Sequence, residues 1–164
     1  MIGFLSSASS DEYTIRLRAF RQGLKDVGYV EGQNATIEYR WADDQYNRLP
    51  ALAAELVHRQ VNVIVAGGGT PSVMAAKAAT TSIPIVFAVS NDPVAIGLVA
   101  SLDKPGDNIT GVTSLNVELG PKRLELLREL LPTATTIAVL INPSSRDLGD
   151  RCTRCRWSIT IAHS

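Results

Sequence analysis

Short apolar runs alternate with longer amphipathic segments along this chain. The short runs are rich in β-branched residues, which predicts strands at 2–5, 35–41, 61–66, 83–89, 109–115 and 135–143. The longer segments place apolar residues three or four positions apart, which predicts helices at 11–27, 47–58, 71–80, 92–102 and 118–132. Alternating strands and helices are typical of βαβ units. The predicted fold class is therefore α/β, with a Rossmann-like three-layer parallel sheet.

Cap and turn residues set the predicted helix ends. Ser10 or Asp11 is predicted to cap the first helix, and Gly28 fits the left-handed residue that stops it. Asn47 is predicted to cap the second helix and Thr70 the third. Beyond about residue 144 no clear period continues, and we predict an irregular tail.

The charge balance narrows the classes of partner. Lys+Arg and Asp+Glu both number 16, so the formal net charge is zero. Nucleic-acid or anionic-membrane surfaces need clustered excess positive charge, so we expect no nucleic-acid partner. No apolar run reaches the roughly 18 residues of a membrane span.

The cysteines and histidines offer little chemistry. Cys152 and Cys155 form a CxxC pair, but a zinc site needs about four ligands and only His163 is close in sequence. The surrounding segment also lacks a thioredoxin-like context, so we interpret the pair as incidental and predict neither a metal site nor a cofactor. Neither His58 nor His163 lies in a strand-end loop, so histidine acid–base catalysis is not expected and the chain is not predicted to be an enzyme.

Small, polar or glycine residues follow four of the predicted strands. In open α/β sheets, ligands bind beyond the carboxyl ends of the strands. Three consecutive glycines at 67–69 allow positive φ, and the free N–H groups of the following helix favour a carboxylate or another anion. The predicted ligand-binding residues are Ser6, Ser7, Gly68, Gly69, Thr70, Ser90, Asn91, Asp92 and Thr113.

Several readings of these residues remain open. The "GGGTPS" stretch matches neither the dinucleotide fingerprint nor the P-loop, and no GxSxG nucleophile motif occurs. Asp92 either contacts a ligand amine or hydroxyl, together with Ser90, or caps a short helix. Tyr13 and Tyr46 either stack on a ligand or pack in the core or on the surface, and Trp41 fits a core position.

Whole blocks of the chain resemble a known family. They are "IGFLSS", "FRQGLKDVGYVEGQNATIEYRWADDQYNRLPALAAELV", "VIVAGGGTPSVMAAKAATTSIPIVF", "DPVAIGLVASLDKPGDNITGV" and "LGPKRLELLRELLPTATTIAVLINP". In this order they resemble the solute-binding proteins of bacterial ABC transporters, in the uncharacterised tryptophan/tyrosine-type subfamily. The resemblance implies a type I periplasmic-binding fold, in which two lobes close on a small solute such as an amino acid. It also implies a transporter permease as partner.

The resemblance implies a division of the chain. Residues 1–115 correspond to the N-terminal ligand-binding lobe, 116–143 to a crossing helix and the first strand of a second lobe, and 144–164 to an irregular tail. Family members are longer than this chain, so we expect a truncated or frameshifted product with a non-native tail.

The predicted location has two readings. The family implies the periplasm, whereas the chain as written opens directly on a strand without a leader peptide, which favours the cytoplasm. Two alternatives to solute capture also stay open: a small α/β enzyme or nucleotide-binding domain, and a fragment without a function of its own.

A lone first lobe also leaves apolar surface without its usual cover. We expect Leu126, Leu130, Ile137, Val139 and Ile141 to be exposed, and the chain to form a homodimer through this crossing segment.

Overall fold

The computed structural model of the protein describes residues 1–114, 119–134, 136–141 and 159–163. The chain divides into two compact units, Met1–Val117 and Glu118–Ser164. Among the described residues, no helix combines the length and the apolar character needed to cross a membrane.

The first unit alternates strands with helices. Its strands are β1 (Ile2–Ser6), β2 (Ile37–Trp41), β3 (Val63–Gly67), β4 (Ile85–Val89) and β5 (Ile109–Thr113). Its helices are α1 (Thr14–Asp26), α2 (Leu49–His58) and α3 (Thr70–Ala79), and a 3₁₀ turn at Tyr46–Arg48 leads into α2. All five strands occur where the alternation of apolar runs predicts them.

The five strands form one parallel sheet in the order β2-β1-β3-β4-β5. From β1 the chain crosses to β2 at one edge of the sheet. It then returns to β3, on the other side of β1, and continues through β4 to β5 at the opposite edge. Because crossovers are right-handed, this reversal places α1 on one face and α3 on the opposite face. The α/β class and the Rossmann-like parallel sheet are confirmed.

Each face of the sheet has its own core. On the α1 face, Phe4 packs with Tyr13, Leu17 and Ile37. On the other face a larger cluster joins α2, α3 and the strands; its fully buried members include Leu5, Leu49, Leu56, Ile64, Val73, Ile85 and Leu98. Consecutive residues of β1 therefore supply both cores, as the alternation of side chains along a strand requires.

The helix stop at Gly28 is confirmed, whereas the predicted side-chain caps are wrong. Gly28 has φ +88°, and its N–H donates to Lys25 O over 3.0 Å. The residues expected to cap α1 lie in a turn before it, where the main-chain oxygens of Ser10 and Asp11 accept the Thr14 hydroxyl over 3.2 and 2.9 Å. Tyr13 is the cap residue of α1, and no side chain within the described part of the protein caps this helix.

The other two caps fail for similar local reasons. Asn47 lies inside the 3₁₀ turn that precedes α2. Thr70 is the first residue of α3, and the cap position belongs to Gly69, which has φ +112° and no side chain.

The predicted helix at 92–102 is wrong, because this segment forms turns. Asp92 Oδ1 accepts N–H bonds from Val94 and Ala95, at 2.9 and 3.3 Å, which starts one helical turn. Gly97 then takes φ +72°, and Leu98 N–H donates to Pro93 O over 2.8 Å. The turn closes there, because a left-handed residue ends helical propagation.

The second unit contains α4 (Gly120–Leu130) and the parallel strands β6 (Ile137–Ile141) and β7 (Ile159–His163). Helix α4 and strand β6 occur where they were predicted. The prediction of an irregular tail is wrong at β7, whose Ile-Thr-Ile sequence has the β-branched composition that strands favour.

The exposure expected in the crossing segment is confirmed on its helix. Leu126 and Leu130 of α4 are both exposed. The side chains of Ile137, Val139 and Ile141 lie outside the described part of the structure, so their exposure stays a prediction.

Gly111 in β5 supplies a test of the sheet packing. A Cβ there would lie 2.2 Å from Phe87 O and 2.5 Å from Phe87 Cγ. We expect Gly111→Ala to lower the free energy of unfolding by about 1–3 kcal/mol, since overpacking forces the backbone to shift. Urea denaturation measures the change.

Gly23→Ala is the matched control, because within the part of the chain that the structure describes a Cβ at this exposed position in α1 meets nothing within 4 Å. Alanine favours helices over glycine, so this variant should gain about 0.5–1 kcal/mol. An equal loss in both variants would contradict the packing of β5 against Phe87.

Candidate functional site

The carboxyl ends of four adjacent strands lie level at one edge of the sheet. Ser6 pairs with Gly67, and Val89 pairs with Thr113. Ala66 pairs with Phe87, so one further step in register along each strand sets Gly67 beside Ala88. We call the predicted ligand-binding residues at this edge the strand-end rim: Ser6, Ser7, Gly68, Gly69, Thr70, Ser90, Asn91, Asp92 and Thr113.

At the ends of β1 and β3, three rim residues meet directly. Ser7 Oγ donates a short hydrogen bond to Gly68 O. Gly68 N–H donates to the Tyr13 hydroxyl over 3.2 Å, and Ser6 Oγ accepts the N–H of Ala8 over 3.2 Å. The chain reverses its direction of travel between these two strands, which is the switch point where open α/β sheets bind ligands.

Gly68 is required for this junction. It has φ +79°, and a Cβ there would lie 2.6 Å from Ser6 Oγ and 2.8 Å from the backbone N of Ser7. Glycine therefore provides both the left-handed backbone and the space that lets β1 and the end of β3 approach each other.

The first turn of α3 brings polar groups to the same junction. Its opening amide N–H groups have no partner within the helix, and Pro71 has no N–H. Within the described part of the chain, the buried hydroxyl oxygens of Thr70 and Ser72 have no hydrogen-bond partner. Ser72 was not predicted as a site residue. The sequence feature that could have indicated it is a small polar residue on the buried face of a predicted helix.

The ends of β4 and β5 are tied together separately. Thr113 Oγ1 donates to Asn91 O over 2.7 Å, and Asn91 is buried. Ser90 is exposed. Asp92 uses its Oδ1 to start the following turn, as described above. The structure thus forms two bonded groups along the rim, one at β1–β3 and one at β4–β5.

The aromatic residues near the rim pack in the core. Tyr13 is 7% exposed, and its ring centroid lies 5.6 Å from that of Phe4 and 5.9 Å from that of Trp41. Tyr46 packs, partly buried, against the larger core. Burial raises the pKa of Tyr39, and its hydrogen bond with Glu31 adds to the rise.

A separate surface groove of about 580 Å³ runs along α1 and the 29–31 turn. Its lining includes the apolar residues Leu17, Leu24 and Ile37 and the basic residues Arg18 and Lys25. None of the rim residues lines it. Among the residues described, no three His, Cys, Asp or Glu side chains gather as a metal site would require. The Cys152–Cys155 pair lies outside the described residues.

The crowding at Gly68 gives a stability test with a matched control. Gly32 has φ +81°, nearly the same as Gly68, but a Cβ at Gly32 meets no atom of the described residues within 4 Å. Gly32→Ala should cost about 1–2 kcal/mol for the left-handed backbone alone. Gly68→Ala should cost about 1–3 kcal/mol more for the steric overlap, measured by urea denaturation. Equal losses would show that β1 does not approach Gly68 closely.

The hydrogen bond between Gly68 and Tyr13 gives a second test. Tyr13→Phe leaves a part-buried N–H without its acceptor, which should cost about 1–3 kcal/mol of unfolding free energy. Tyr29→Phe removes a hydroxyl from a side chain that is 53% exposed and should change stability by less than about 0.5 kcal/mol. Thermal unfolding of the two variants, compared with the parent chain, measures the difference, and matching losses would argue against this bond.

Known proteins are similar to this chain in both sequence and fold. It is 38% identical over 128 residues to a tyrosine-binding protein of Clostridioides difficile (strain R20291), a match that covers 77% of this chain and 36% of that protein. A crystal structure of a conserved domain protein from Vibrio cholerae superposes with a TM-score of 0.82 at 29% identity, over 99% of this chain and 56% of that one. The ligand-free, open structure of a substrate-binding protein with adhesive properties from Clostridium difficile gives 0.64 at 28% identity, over 99% and 57%.

This chain thus spans 36% of the curated relative and a little over half of these solved chains. The family model described as ABC transporter substrate binding protein matches residues 2–151, which is most of the sequence. The chain belongs to the family of ABC transporter substrate-binding proteins.

Proposed function

We propose that the strand-end rim binds a small carboxylate-bearing solute, such as an amino acid, as one side of the binding cleft of an ABC importer. The observation that carries this proposal is the junction of Ser6, Ser7 and Gly68 beside the first turn of α3. It lies at the topological switch point, where the fold leaves a crevice beyond the strands.

The chemistry of the junction favours an anionic group. The N-terminal end of α3 offers amide donors and the positive end of the helix dipole. The hydroxyls of Thr70 and Ser72 are further donors that no described group uses. Each hydrogen bond to a charged group contributes roughly 1.5–3 kcal/mol, so two or three of them would hold a carboxylate in place.

The other end of the rim suits a cationic or hydroxyl group of the same solute. Asp92 supplies a carboxylate beside the exposed Ser90. A carboxylate-binding group at β3 and an acidic group at β4 match the two charges of an amino acid. The relative from Clostridioides difficile is named as a tyrosine-binding protein, and tyrosine is an amino acid, which supports the proposal.

The partners and the location follow from the family. Substrate-binding proteins of this family typically work in the periplasm or outside the cell and deliver a small solute to a transporter permease. We extend this to the present chain, with residues 1–115 as the ligand-binding lobe, 116–143 as the crossing segment and 144–164 as the tail. The rim residues include no histidine or cysteine that could act as a general base, so we propose capture without catalysis.

An NMR titration of the ¹⁵N-labelled chain tests the carboxylate contact. L-tyrosine should shift the amide signals of Gly68, Gly69 and Thr70, whereas tyramine, which lacks the carboxylate, should leave them unchanged. We expect millimolar affinity, because one rim contacts one side of a ligand and small ligands in binding sites are about 70–90% buried. The dissociation constant comes from the same titration.

Two variants sharpen this test. Thr70→Val removes a buried hydroxyl donor with little change in shape, and it should weaken the tyrosine response about tenfold. Ser10→Ala changes an exposed hydroxyl that is not one of the rim residues and should leave the response unchanged. Shifts confined to the α1 groove, or equal shifts with tyramine, would overturn the proposed carboxylate site, and low-micromolar or tighter binding would contradict the expected weak affinity.

A further inference from the structure

The surface groove beside α1 is lined entirely by residues of the first unit. Its volume of about 580 Å³ falls within the roughly 300–1,000 Å³ that small-molecule sites occupy. The lining comes from two parts of the chain, residues 10–25 around α1 and the 29–31 turn together with Ile37 at the start of β2. We call this feature the α1 groove.

Hydrogen bonds fix the turn that follows α1. Asn34 Oδ1 accepts the N–H of Val30 over 2.7 Å, and Asn34 Nδ2 donates to Gly28 O over 2.8 Å. Arg21 Nε donates to Glu31 Oε2 over 2.7 Å, which joins α1 directly to this turn. A groove whose two sides are held in place before a ligand arrives binds that ligand with a smaller loss of conformational entropy.

The lining carries two positive charges that have no acidic partner among the described residues. Arg21 and Glu31 neutralise each other. Within the part of the chain that the structure describes, neither Arg18 nor Lys25 forms an ion pair, and both are exposed. The other acidic residue of the lining, Asp11, precedes α1. The stretch of the α1 groove from Arg18 to Lys25 therefore favours anions.

The spacing of these two cations sets the shape of a matching ligand. Arg18 and Lys25 are seven residues apart on α1, which is two helical turns, so they lie on the same side of the helix and about 10.5 Å apart along its axis. Leu17 and Leu24 line the same stretch with the same spacing. Each end of this stretch thus pairs a cation with an apolar side chain.

We propose that the α1 groove binds a linear dicarboxylate, whose two carboxylates are joined by an apolar chain about 10 Å long. One carboxylate contacts Arg18, the other contacts Lys25, and the chain lies along the apolar lining. Contacts between exposed charges are individually weak and are screened by salt, so selectivity comes from matching both ends at once. We expect an affinity of about 1 mM that falls as the salt concentration rises.

An NMR titration of the ¹⁵N-labelled chain with decanedioate tests the proposal. The carboxylate carbons of this probe lie about 11 Å apart when its chain is extended and staggered. Decanedioate should shift the amide signals of Arg18, Lys25 and Val30. Butanedioate, which spans only about 4 Å and cannot reach both cations, should shift them at least tenfold less at the same concentration. The diamine with the same chain length as decanedioate should leave them unchanged, because its charges are reversed.

Charge-removing variants locate the two contacts. Arg18→Gln and Lys25→Gln should each weaken decanedioate binding about fivefold, and the double variant about twentyfold, since the two contacts are well separated. Lys104→Gln is the matched control, because it removes an exposed lysine that does not line the α1 groove, and it should bind decanedioate like the parent chain. Far-UV circular dichroism establishes that each variant keeps the parental fold.

Three outcomes would overturn the proposal: equal responses to decanedioate and butanedioate, a response to the diamine at the same residues, or a double variant that binds decanedioate as tightly as the parent. The proposal does not depend on solute binding at the strand-end rim. The amide signals of Gly68 and Thr70 report on the rim in the same spectra, so failure at one site is distinguished from failure at the other.

Discussion

The parallel pairing of β1 with both β2 and β3 is the constraint on which the rest of the structure depends. This central position commits one face of β1 to the core beneath α1 and the other to the core beneath α2 and α3. It also brings the end of β1 beside the end of β3, where the chain reverses its direction of travel. The cores and the candidate site thus arise from the same pairing.

The junction at Gly68 shows how closely packing and chemistry are linked here. The left-handed backbone of Gly68 turns the chain out of β3, and the missing side chain lets Ser6 and Ser7 approach. The Tyr13 hydroxyl accepts the Gly68 N–H, so the aromatic core beneath α1 also positions the loop. A ligand group at the start of α3 would therefore meet a backbone that is fixed from two sides.

The sequence by itself determined the alternation of elements, the parallel α/β class and the stop of α1 at Gly28; the ligand-binding role of the strand-end rim stays a prediction. These follow from local rules: β-branched runs, helical periodicity, and glycine at positive φ. Family resemblance was also visible in the order of whole blocks, and the family model confirmed it.

Only the tertiary structure decided which strands are neighbours and how each polar side chain is used. The caps expected from Ser10 or Asp11, from Asn47 and from Thr70 failed because the cap positions belong to Tyr13, Arg48 and Gly69. The helix expected at 92–102 is a set of turns, since Asp92 and Gly97 close it early. Within the described part of the chain the buried hydroxyl of Ser72 has no hydrogen-bond partner, which depends on contacts between distant segments that local sequence patterns do not encode.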